Sequence, residues 1–480
     1  MHARGLRQHL DAPARRGHQP AGAFTGAAGG AACGDLVRVS VVLDGERVAD
    51  SGFDAAGCGA AIAAGSAAVA LVHGRSVLDA ARISPADIVR ELGGLIPAKL
   101  HAAELAADAL HRALGAAARA QARLPAAPGR TLVAMSGGVD SAVAALLCAR
   151  AGGDVAAVTL ELWADSDNDG ERSCCSAAAV RGARALAQRM GMPHLTLDLR
   201  GEFRAGVVDP FIADHAAGET PNPCVGCNGH VRLDAMLALA GRLGADALAT
   251  GHYARVQCGE RPVLRVAADP AKDQSYMLAA LRPDTLARMR FPLGELRKPM
   301  VRALAADAGL PVASKPDSQD LCFMAGTDRA TFLERHGGPG PGDGDIVDSD
   351  GRRLGRHHGH HGFTVGQRRG IGLGGRDPLY VLDKDPRSNR VVVGPREALL
   401  SSRVVVRGAT LHRPAGEVDR VKLRYRSKAL PCRIAGALAA GRHRRLELEL
   451  AEPVDGAAPG QTACLMAGDL VIGHATIAPA

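Results

Sequence analysis

Hydrophobic and polar positions follow different patterns in successive parts of this 480-residue chain. Between residues 130 and 250, short apolar runs alternate with segments of helical periodicity. This alternation predicts an α/β fold with a doubly wound parallel sheet, whose ligands bind at the carboxyl ends of the strands. The predicted strands are 131–135, 155–162, 194–199 and 246–250, and the predicted helices are 141–151, 177–191 and 231–244.

The sequence before and after this region has other patterns. Residues 36–43 alternate like a strand, turn at Asp44-Gly45 and return to Phe53, and helical patterns follow at 60–73 and 97–114, which predicts a small α+β domain. From about residue 345 the chain is rich in Gly and strand-like, which favours a β domain or barrel. The predicted segments are a disordered lead at 1–30, the α+β domain at 31–115, a linker at 116–129, the catalytic domain at 130–335, a connecting domain at 336–398 and a C-terminal β-barrel at 399–480.

Composition narrows the class of protein. The net charge of +8 favours an anionic partner such as nucleic acid. No apolar run approaches the roughly 18 residues of a membrane span, so we predict no membrane partner. Eleven cysteines without a secretory signal favour reactive or metal-binding thiols in a reducing environment, which predicts a cytoplasmic protein.

The clearest motif is Ser136-Gly137-Gly138-Val139-Asp140-Ser141, directly behind the predicted strand 131–135. A strand that runs into two glycines and then a helix presents backbone N–H groups to an anion at the helix N-terminus. No Gly-Lys-Ser/Thr follows, so this is not a Walker loop. It matches the pyrophosphate loop of enzymes that split ATP into AMP and pyrophosphate.

Three cysteines of the central region are candidates for chemistry. Cys224 and Cys227 form a CxxC just ahead of a predicted helix, and Cys322 lies in Asp317-Ser318-Gln319-Asp320-Leu321-Cys322-Phe323. A thiolate at a helix start is favoured by the helix dipole and is a better nucleophile. The alternative is a structural metal knuckle, but a second CxxC that would complete a four-cysteine zinc site is absent from the sequence.

Residues 130–480 resemble a tRNA-specific 2-thiouridylase, the enzyme that replaces O2 of the wobble uridine with sulfur. Six motifs occur in the family order over some 350 residues. The matching stretches are 136–141, 220–228, 249–255, 272–276, 317–323 and 363–370.

The resemblance implies a sulfurtransferase that uses ATP and Mg²⁺, with tRNA as substrate and a cysteine desulfurase or another persulfide donor as partner. It implies that Cys227 is the nucleophile and that Cys322 carries the persulfide and forms a redox disulfide with Cys227, with Asp140 also catalytic. The implied ATP-binding residues are Ala134, Met135, Ser136, Gly137, Gly138, Val139, Asp140, Ser141, Leu160 and Gly251. The implied tRNA contacts are His252, Lys272, Asp273, Gln274, Arg424, Tyr425 and Gln461.

Two routes for sulfur remain open. A persulfide on Cys322 can supply sulfur, with Cys227 either releasing sulfide or resolving the intermediate as a disulfide. Many members of the family have another residue, often Asp, at the position of Cys224, and Cys224, Cys227 and Cys322 together would also suit a [4Fe–4S] cluster with one open iron. Two further alternatives are another ATP-pyrophosphatase, such as an amidotransferase or a tRNA lysidine-type ligase, and a non-catalytic iron–sulfur carrier.

Residues 31–114 resemble the U-type iron–sulfur scaffold protein. Cys33, Asp35, Cys58 and His101 match its ligand positions, but Ala102 stands where the third cysteine is expected. These four residues could hold a cluster or zinc, or the domain could instead be a docking surface for a cysteine desulfurase.

Two further groups of residues give predictions of their own. The stretch Arg356-His357-His358-Gly359-His360-His361 predicts a basic face for phosphate in preference to a metal site. Cys174-Cys175 is predicted to be a pair of buried spectators.

Overall fold

The computed structural model describes residues 3–30, 34–165, 176–317, 321–374 and 377–479. The predicted metal ligand Cys33 and the predicted spectators Cys174 and Cys175 lie outside these ranges. Ser318, Gln319 and Asp320 of the Cys322 motif also lie outside them.

The N-terminal domain is an antiparallel sheet covered by helices. Its sheet has the order β1-β2-β3, with β1 at Phe24–Gly29, β2 at Leu36–Asp44 and β3 at Arg47–Ala56. Its helices are α1 (Ala3–Asp11), α2 (Gly59–Val72), α3 (Val77–Ala80), α4 (Pro85–Glu91) and α5 (Leu100–Gln121). Alanines line the buried faces of α2 and α5, so these two helices and the sheet approach one another closely.

The predicted disordered lead is wrong, because residues 3–11 are helical and residues 24–29 form a strand. β1 pairs with β2 along its whole length, from Phe24 opposite Val41 to Gly29 opposite Leu36. A Cβ on Gly26 would overlap the backbone of α5 at Ala109, so glycine permits this contact. The buried ring of His9 on α1 lies 2.8 Å (Nδ1) from the Ser66 hydroxyl of α2. Small residues such as these produce no hydrophobic pattern, which is why the sequence predicted disorder.

The predicted linker also begins too early, because α5 continues to Gln121. The Gln121 side chain accepts a hydrogen bond from the backbone N–H of Leu43 at 2.9 Å, which fixes the end of α5 to the sheet. The backbone N–H of Leu124 then donates to the Arg242 carbonyl of the next domain at 2.9 Å.

The central domain contains the predicted doubly wound sheet, which confirms the fold class. Five parallel strands have the order β10-β7-β4-β5-β6. The strands of this domain are β4 (Thr131–Ala134), β5 (Val155–Glu161), β6 (His194–Asp198), β7 (Ala247–Ala249), β8 (Arg255–Gln257), β9 (Val263–Arg265) and β10 (Met289–Arg290). Its helices are α6 (Val139–Arg150), α7 (Ala177–Arg189), α8 (Arg200–Phe203), α9 (Asp209–Ala216), α10 (Pro223–Cys227), α11 (Leu233–Arg242), α12 (Pro283–Arg288), α13 (Lys298–Asp307) and α14 (Arg329–Arg335).

The C-terminal part consists of a small sheet and a closed barrel, as predicted. The small sheet has the order β12-β11-β14-β13, from β11 (Gly344–Val347), β12 (Arg353–His357), β13 (Tyr380–Asp385) and β14 (Arg390–Gly394). The barrel strands are β15 (Leu400–Leu411), β16 (Arg420–Lys422), β17 (Leu430–Ile434), β18 (Gly441–Asp455), β19 (Thr462–Ala467) and β20 (Leu470–Ile477). The order β15-β18-β17-β16-β19-β20 closes because β20 pairs back onto β15. The β8–β9 hairpin extends this sheet from β20 and joins the barrel to the central domain.

The N-terminal domain is docked tightly on the central sheet through α5. A Cβ on Gly115 of α5 would overlap the Thr196 carbonyl of β6, so only glycine permits this approach. The Arg112 guanidinium donates to the Glu161 carboxylate at 3.0 Å, and Arg184 pairs with the buried Asp108 at 2.5 Å. One continuous hydrophobic core spans both domains. The N-terminal domain is therefore a fixed part of the molecule.

Candidate active site

The glycine-rich loop lies between the end of β4 and the start of α6. The Ser141 hydroxyl accepts from the backbone N–H of Ser136 at 3.1 Å and donates to the Gly138 carbonyl at 3.1 Å, so it closes the loop on itself. Gly137 has a φ of 69°, a conformation that glycine adopts without strain. The loop therefore has the strand–turn–helix geometry that presents backbone N–H groups to an anion.

The other predicted ATP-binding residues surround this loop. The Met135 backbone continues the sheet by donating to the Val158 carbonyl at 2.8 Å. Gly251 follows β7, and a Cβ there would lie 2.7 Å from the Ser141 nitrogen, so glycine lets the two loops touch. Leu160 on β5 is buried in the core. Ala134 ends β4, Val139 begins α6, and nucleotide contact by these residues stays a prediction.

An ionic network that the sequence did not predict lies beside the loop. The Lys298 ammonium, at the start of α13, is 2.8 Å from both Asp140 oxygens and 2.8 Å from the Asp317 carboxylate. The Tyr253 hydroxyl donates to Asp140 at 2.8 Å. Lys298 is only 8% exposed, so these carboxylates are its main charged partners.

Asp317 is the second centre of this network. Lys272 contacts it at 2.8 Å and Arg302 at 3.0 Å, in addition to Lys298. Burial alone would raise the pKa of Asp317, but the hydrogen bonds from Lys272 and Lys298 outweigh it and lower the pKa to about 2. The Lys315 ammonium, two residues earlier, donates to the Gly137 carbonyl of the loop at 2.9 Å. The segment that leads to Cys322 is thus attached to the glycine-rich loop.

The candidate cysteines lie on α10 and on the segment that follows Asp317 in the chain. Asn222 caps α10 by accepting from the Cys224 backbone N–H at 3.2 Å, so the CxxC occupies a short helix. Cys227 is buried at the end of α10, and Cys322 is half-buried. Both side chains contact the same hydrophobic core. Their pairing stays a prediction.

Three buried or half-buried thiols elsewhere, Cys148, Cys432 and Cys464, are poor nucleophiles at neutral pH. Burial raises the pKa of Cys148 to about 11 and that of Cys432 and Cys464 to about 12. They are therefore protonated where a thiolate is needed. Within the described ranges, no group of three or more His, Cys, Asp or Glu side chains could hold a metal ion.

The predicted tRNA residues Lys272, Asp273 and Gln274 face inward. Gln274 accepts from the Tyr253 backbone N–H at 3.0 Å. Asp273 accepts from the Ser275 hydroxyl at 2.9 Å and pairs with Lys422 of the barrel at 3.2 Å. These contacts position the loop, and binding of tRNA by these side chains stays a prediction.

The remaining predicted tRNA residues lie at domain junctions. Gln461 of the barrel donates to the Thr220 carbonyl at 2.6 Å, and Arg424 donates to the Val365 carbonyl at 3.2 Å. Tyr425 stacks near Tyr276, with ring centroids 6.2 Å apart. Burial lowers the pKa of His252 to about 3, so this side chain is neutral at physiological pH and would meet RNA without a charge.

Comparison with known proteins covers the whole chain. Families described as "NifU-like N terminal domain", "tRNA methyl transferase HUP domain", "tRNA methyl transferase PRC-barrel domain" and "Aminomethyltransferase beta-barrel domain" match residues 4–123, 129–326, 330–395 and 411–477. The "Bifunctional protein NifU/MnmA" of Rubrobacter xylanophilus is 45% identical over 485 residues, which cover 98% of this chain and 97% of that protein. The chain belongs to the bifunctional NifU/MnmA family.

Shorter members of the MnmA family match the part after the N-terminal domain. The "tRNA-specific 2-thiouridylase MnmA" of Rhodospirillum centenum is 46% identical over 359 residues, covering 72% of this chain and 90% of that protein. The protein of the same name from Thermobifida fusca is 46% identical over 356 residues, covering 73% of this chain and 95% of that protein. The resemblance to the thiouridylases is thereby confirmed.

In the NifU-like domain, Asp35 contacts two other predicted ligands, although the three side chains do not form a group that could hold a metal ion. The Asp35 carboxylate accepts from the Cys58 thiol at 3.2 Å and lies 3.2 Å from the His101 ring nitrogen. A Cβ on Gly57 would overlap Asp35, so this glycine permits the approach. Ala102, at the missing cysteine position, is fully buried. Metal binding here stays a prediction.

The predicted basic face at residues 356–361 is wrong for three of its five basic side chains, and only Arg356 and His358 are exposed. The rings of His357, His360 and His361 are buried, and His358 is exposed. Burial lowers the pKa of His357 and His361, so these rings are neutral. The cause is a tight turn after β12, in which Gly359 has a φ of 138° and turns the rings into the connecting domain.

In the described ranges, no helix has the length and apolar character needed to cross a membrane.

Proposed function

We propose that this chain is an ATP-dependent tRNA 2-thiouridylase with a NifU-like domain at its N-terminus. The observation that carries the proposal is the closed Ser136–Ser141 loop beside the Asp140 network, in a chain 45% identical to a NifU/MnmA protein over nearly its full length. Two of the matching families are described as tRNA methyl transferase domains, whereas the shorter relatives are named 2-thiouridylases. An ATP-type loop and two candidate cysteines support sulfur transfer.

The first step is activation of the uridine. O2 of uridine is a poor leaving group, and its attack on the α-phosphate of ATP would release pyrophosphate and make AMP the leaving group. The loop amides and hydroxyls would hold the phosphates. Mg²⁺ would neutralise phosphate charge, and it would bind the Asp140 carboxylate of the loop only by displacing Lys298, whose ammonium lies 2.8 Å from both carboxylate oxygens.

The second step is sulfur transfer. The terminal sulfur of a persulfide on Cys322 would attack C2 of the adenylated uridine and expel AMP. The Cys227 thiolate would then attack the Cys322 sulfur, leaving thiouridine and a Cys227–Cys322 disulfide that an external thiol reduces. In the alternative order, the Cys227 thiolate attacks the inner sulfur of the Cys322 persulfide first, which forms the Cys227–Cys322 disulfide and releases sulfide as the nucleophile.

A cysteine desulfurase or another persulfide donor would load Cys322. The match of residues 4–123 to a NifU-like domain supports a docking role for the N-terminal domain. The buried Ala102 in place of a cysteine argues against a complete three-cysteine cluster site there.

The persulfide and cluster routes differ in their need for Cys224. We expect Cys224→Ala to keep at least about one tenth of the wild-type thiolation rate, because the persulfide route needs only Cys227 and Cys322. The test uses protein purified without oxygen, with ATP, Mg²⁺, unmodified tRNA and a persulfide donor, and measures 2-thiouridine by mass spectrometry together with bound iron. Joint loss of iron and activity in this variant would instead establish a cluster enzyme.

A further inference from the structure

Two lysines that are distant from the glycine-rich loop in sequence contact it in the structure. Lys315 contacts the Gly137 carbonyl at 2.9 Å, and Lys298 contacts Asp140 at 2.8 Å. They lie 178 and 158 residues from their partners in the chain. The loop itself contains no lysine, unlike a Walker loop.

The two lysines differ in how their charge is balanced. Lys298 is buried between two carboxylates, which neutralise it. Lys315 is exposed, and its ammonium donates to the Gly137 carbonyl; in the part of the chain that the structure describes, it pairs with no carboxylate. Among the described residues, this network has four cationic side chains (Lys272, Lys298, Arg302 and Lys315) and three carboxylates (Asp140, Asp269 and Asp317), since Asp269 accepts from the Lys298 backbone N–H at 3.0 Å. This excess of positive charge suits a polyanion at the loop.

The segment that carries Lys315 is fixed in place. Arg302 of α13 donates to the Ala313 carbonyl at 2.7 Å and to the Lys315 carbonyl at 3.1 Å, and its other nitrogen contacts Asp317. The flexible side chain of Lys315 therefore extends from an ordered backbone. The Lys315 ammonium can therefore move from the Gly137 carbonyl to a phosphate oxygen by a change of side-chain rotamer alone.

We propose that Lys315 binds the β- and γ-phosphates of ATP, and the pyrophosphate formed from them, in place of the lysine that the loop lacks. Lys298 joins Asp140 of the loop to Asp317, which lies two residues after Lys315. The inference rests on the proposed function and assigns the pyrophosphate end of its nucleotide site. The ligand class is an inorganic or nucleoside polyphosphate.

The test compares three ligands on the full-length chain. Calorimetric titration with AMP, ATP and inorganic pyrophosphate, each with Mg²⁺, gives dissociation constants for the wild type and for Lys315→Ala. We expect Lys315→Ala to weaken binding of ATP and pyrophosphate by about 10–100-fold, the range for loss of one hydrogen bond to a charged group. Binding of AMP should stay within about twofold, because AMP lacks the β- and γ-phosphates.

Two further variants control for charge and fold. Lys315→Arg keeps the positive charge and should restore most of the pyrophosphate affinity. Lys428→Ala removes an exposed positive charge from the barrel and should bind all three ligands like the wild type.

Three outcomes would overturn the proposal. Unchanged pyrophosphate binding by Lys315→Ala would remove Lys315 from the site, and an equal loss of AMP binding would show that it merely shapes the loop. A wild-type chain that binds neither ATP nor pyrophosphate would overturn the proposed function as well.

Discussion

Replacement of Cys322 by serine is expected to reduce thiolation by about 10³-fold or more, because a hydroxyl cannot carry a persulfide. The side chain is half-buried against the core that also contains Cys227, so the smaller hydroxyl should leave the fold intact. Binding of ATP and tRNA should survive, since the glycine-rich loop and the barrel are untouched. The measurement is 2-thiouridine in tRNA by mass spectrometry, with a persulfide donor in excess.

Cys258→Ser is the matched control for this experiment. Cys258 lies in the β8–β9 turn and is exposed, so its loss should leave thiolation at the wild-type rate. Thiolation by Cys322→Ser at the rate of this control would contradict the assignment of the persulfide to Cys322.

The second large effect is expected for Asp140→Asn. Asparagine keeps the shape of the side chain but removes the negative charge that pairs with Lys298 at 2.8 Å and that would bind Mg²⁺. We expect tRNA-dependent release of pyrophosphate to fall by about 10²–10³-fold, the usual cost of removing one electrostatic group from an active site. The readout is pyrophosphate release in a single turnover.

Asp307→Asn provides the comparison for Asp140→Asn. Asp307 ends α13, the helix that begins with Lys298, and it is exposed. This variant should release pyrophosphate normally. If Asp140→Asn unfolded at a much lower temperature yet kept its pyrophosphate release, Asp140 would have a structural role and no catalytic one.

The sequence predicted the central sheet because of its periodicity. The parallel strands β4, β5 and β6 are largely buried and begin at the predicted residues, and each ends one residue before its predicted end. Prediction failed in the lead at 1–30, where β1 has the sequence Phe-Thr-Gly-Ala-Ala-Gly. Such a strand is stable only because α5 covers it, and this contact has no local pattern.

Local sequence patterns also decide which part of the candidate active site could be predicted. The Ser136–Ser141 loop and the CxxC are local motifs that a sequence displays directly. The network around Asp140 joins residues more than one hundred positions apart, such as Tyr253 and Lys298. Nothing near Lys298 or Lys315 in the sequence indicates that their ammonium groups reach the loop. Only the folded arrangement of α6, α13 and the segment before Cys322 reveals it.

The N-terminal NifU-like domain is joined to the central domain by packing as well as by the chain. Gly115 of α5 touches the Thr196 backbone, and Asp108 and Arg184 form a buried pair across the boundary. A protein that bound to the N-terminal domain near Cys58 would therefore be held at a fixed distance from the central domain. This arrangement suits a docking platform for a sulfur donor better than a tethered, mobile scaffold.

The central claim is that ATP activation and cysteine-borne sulfur act on one uridine at one site. It is tested most directly by a single turnover of wild-type protein whose Cys322 is loaded with isotopically labelled persulfide, with unmodified tRNA, ATP and Mg²⁺. The account predicts one labelled 2-thiouridine for each AMP and each pyrophosphate released, and none without ATP. Labelled thiouridine formed without AMP, or AMP formed without labelled thiouridine, would contradict it.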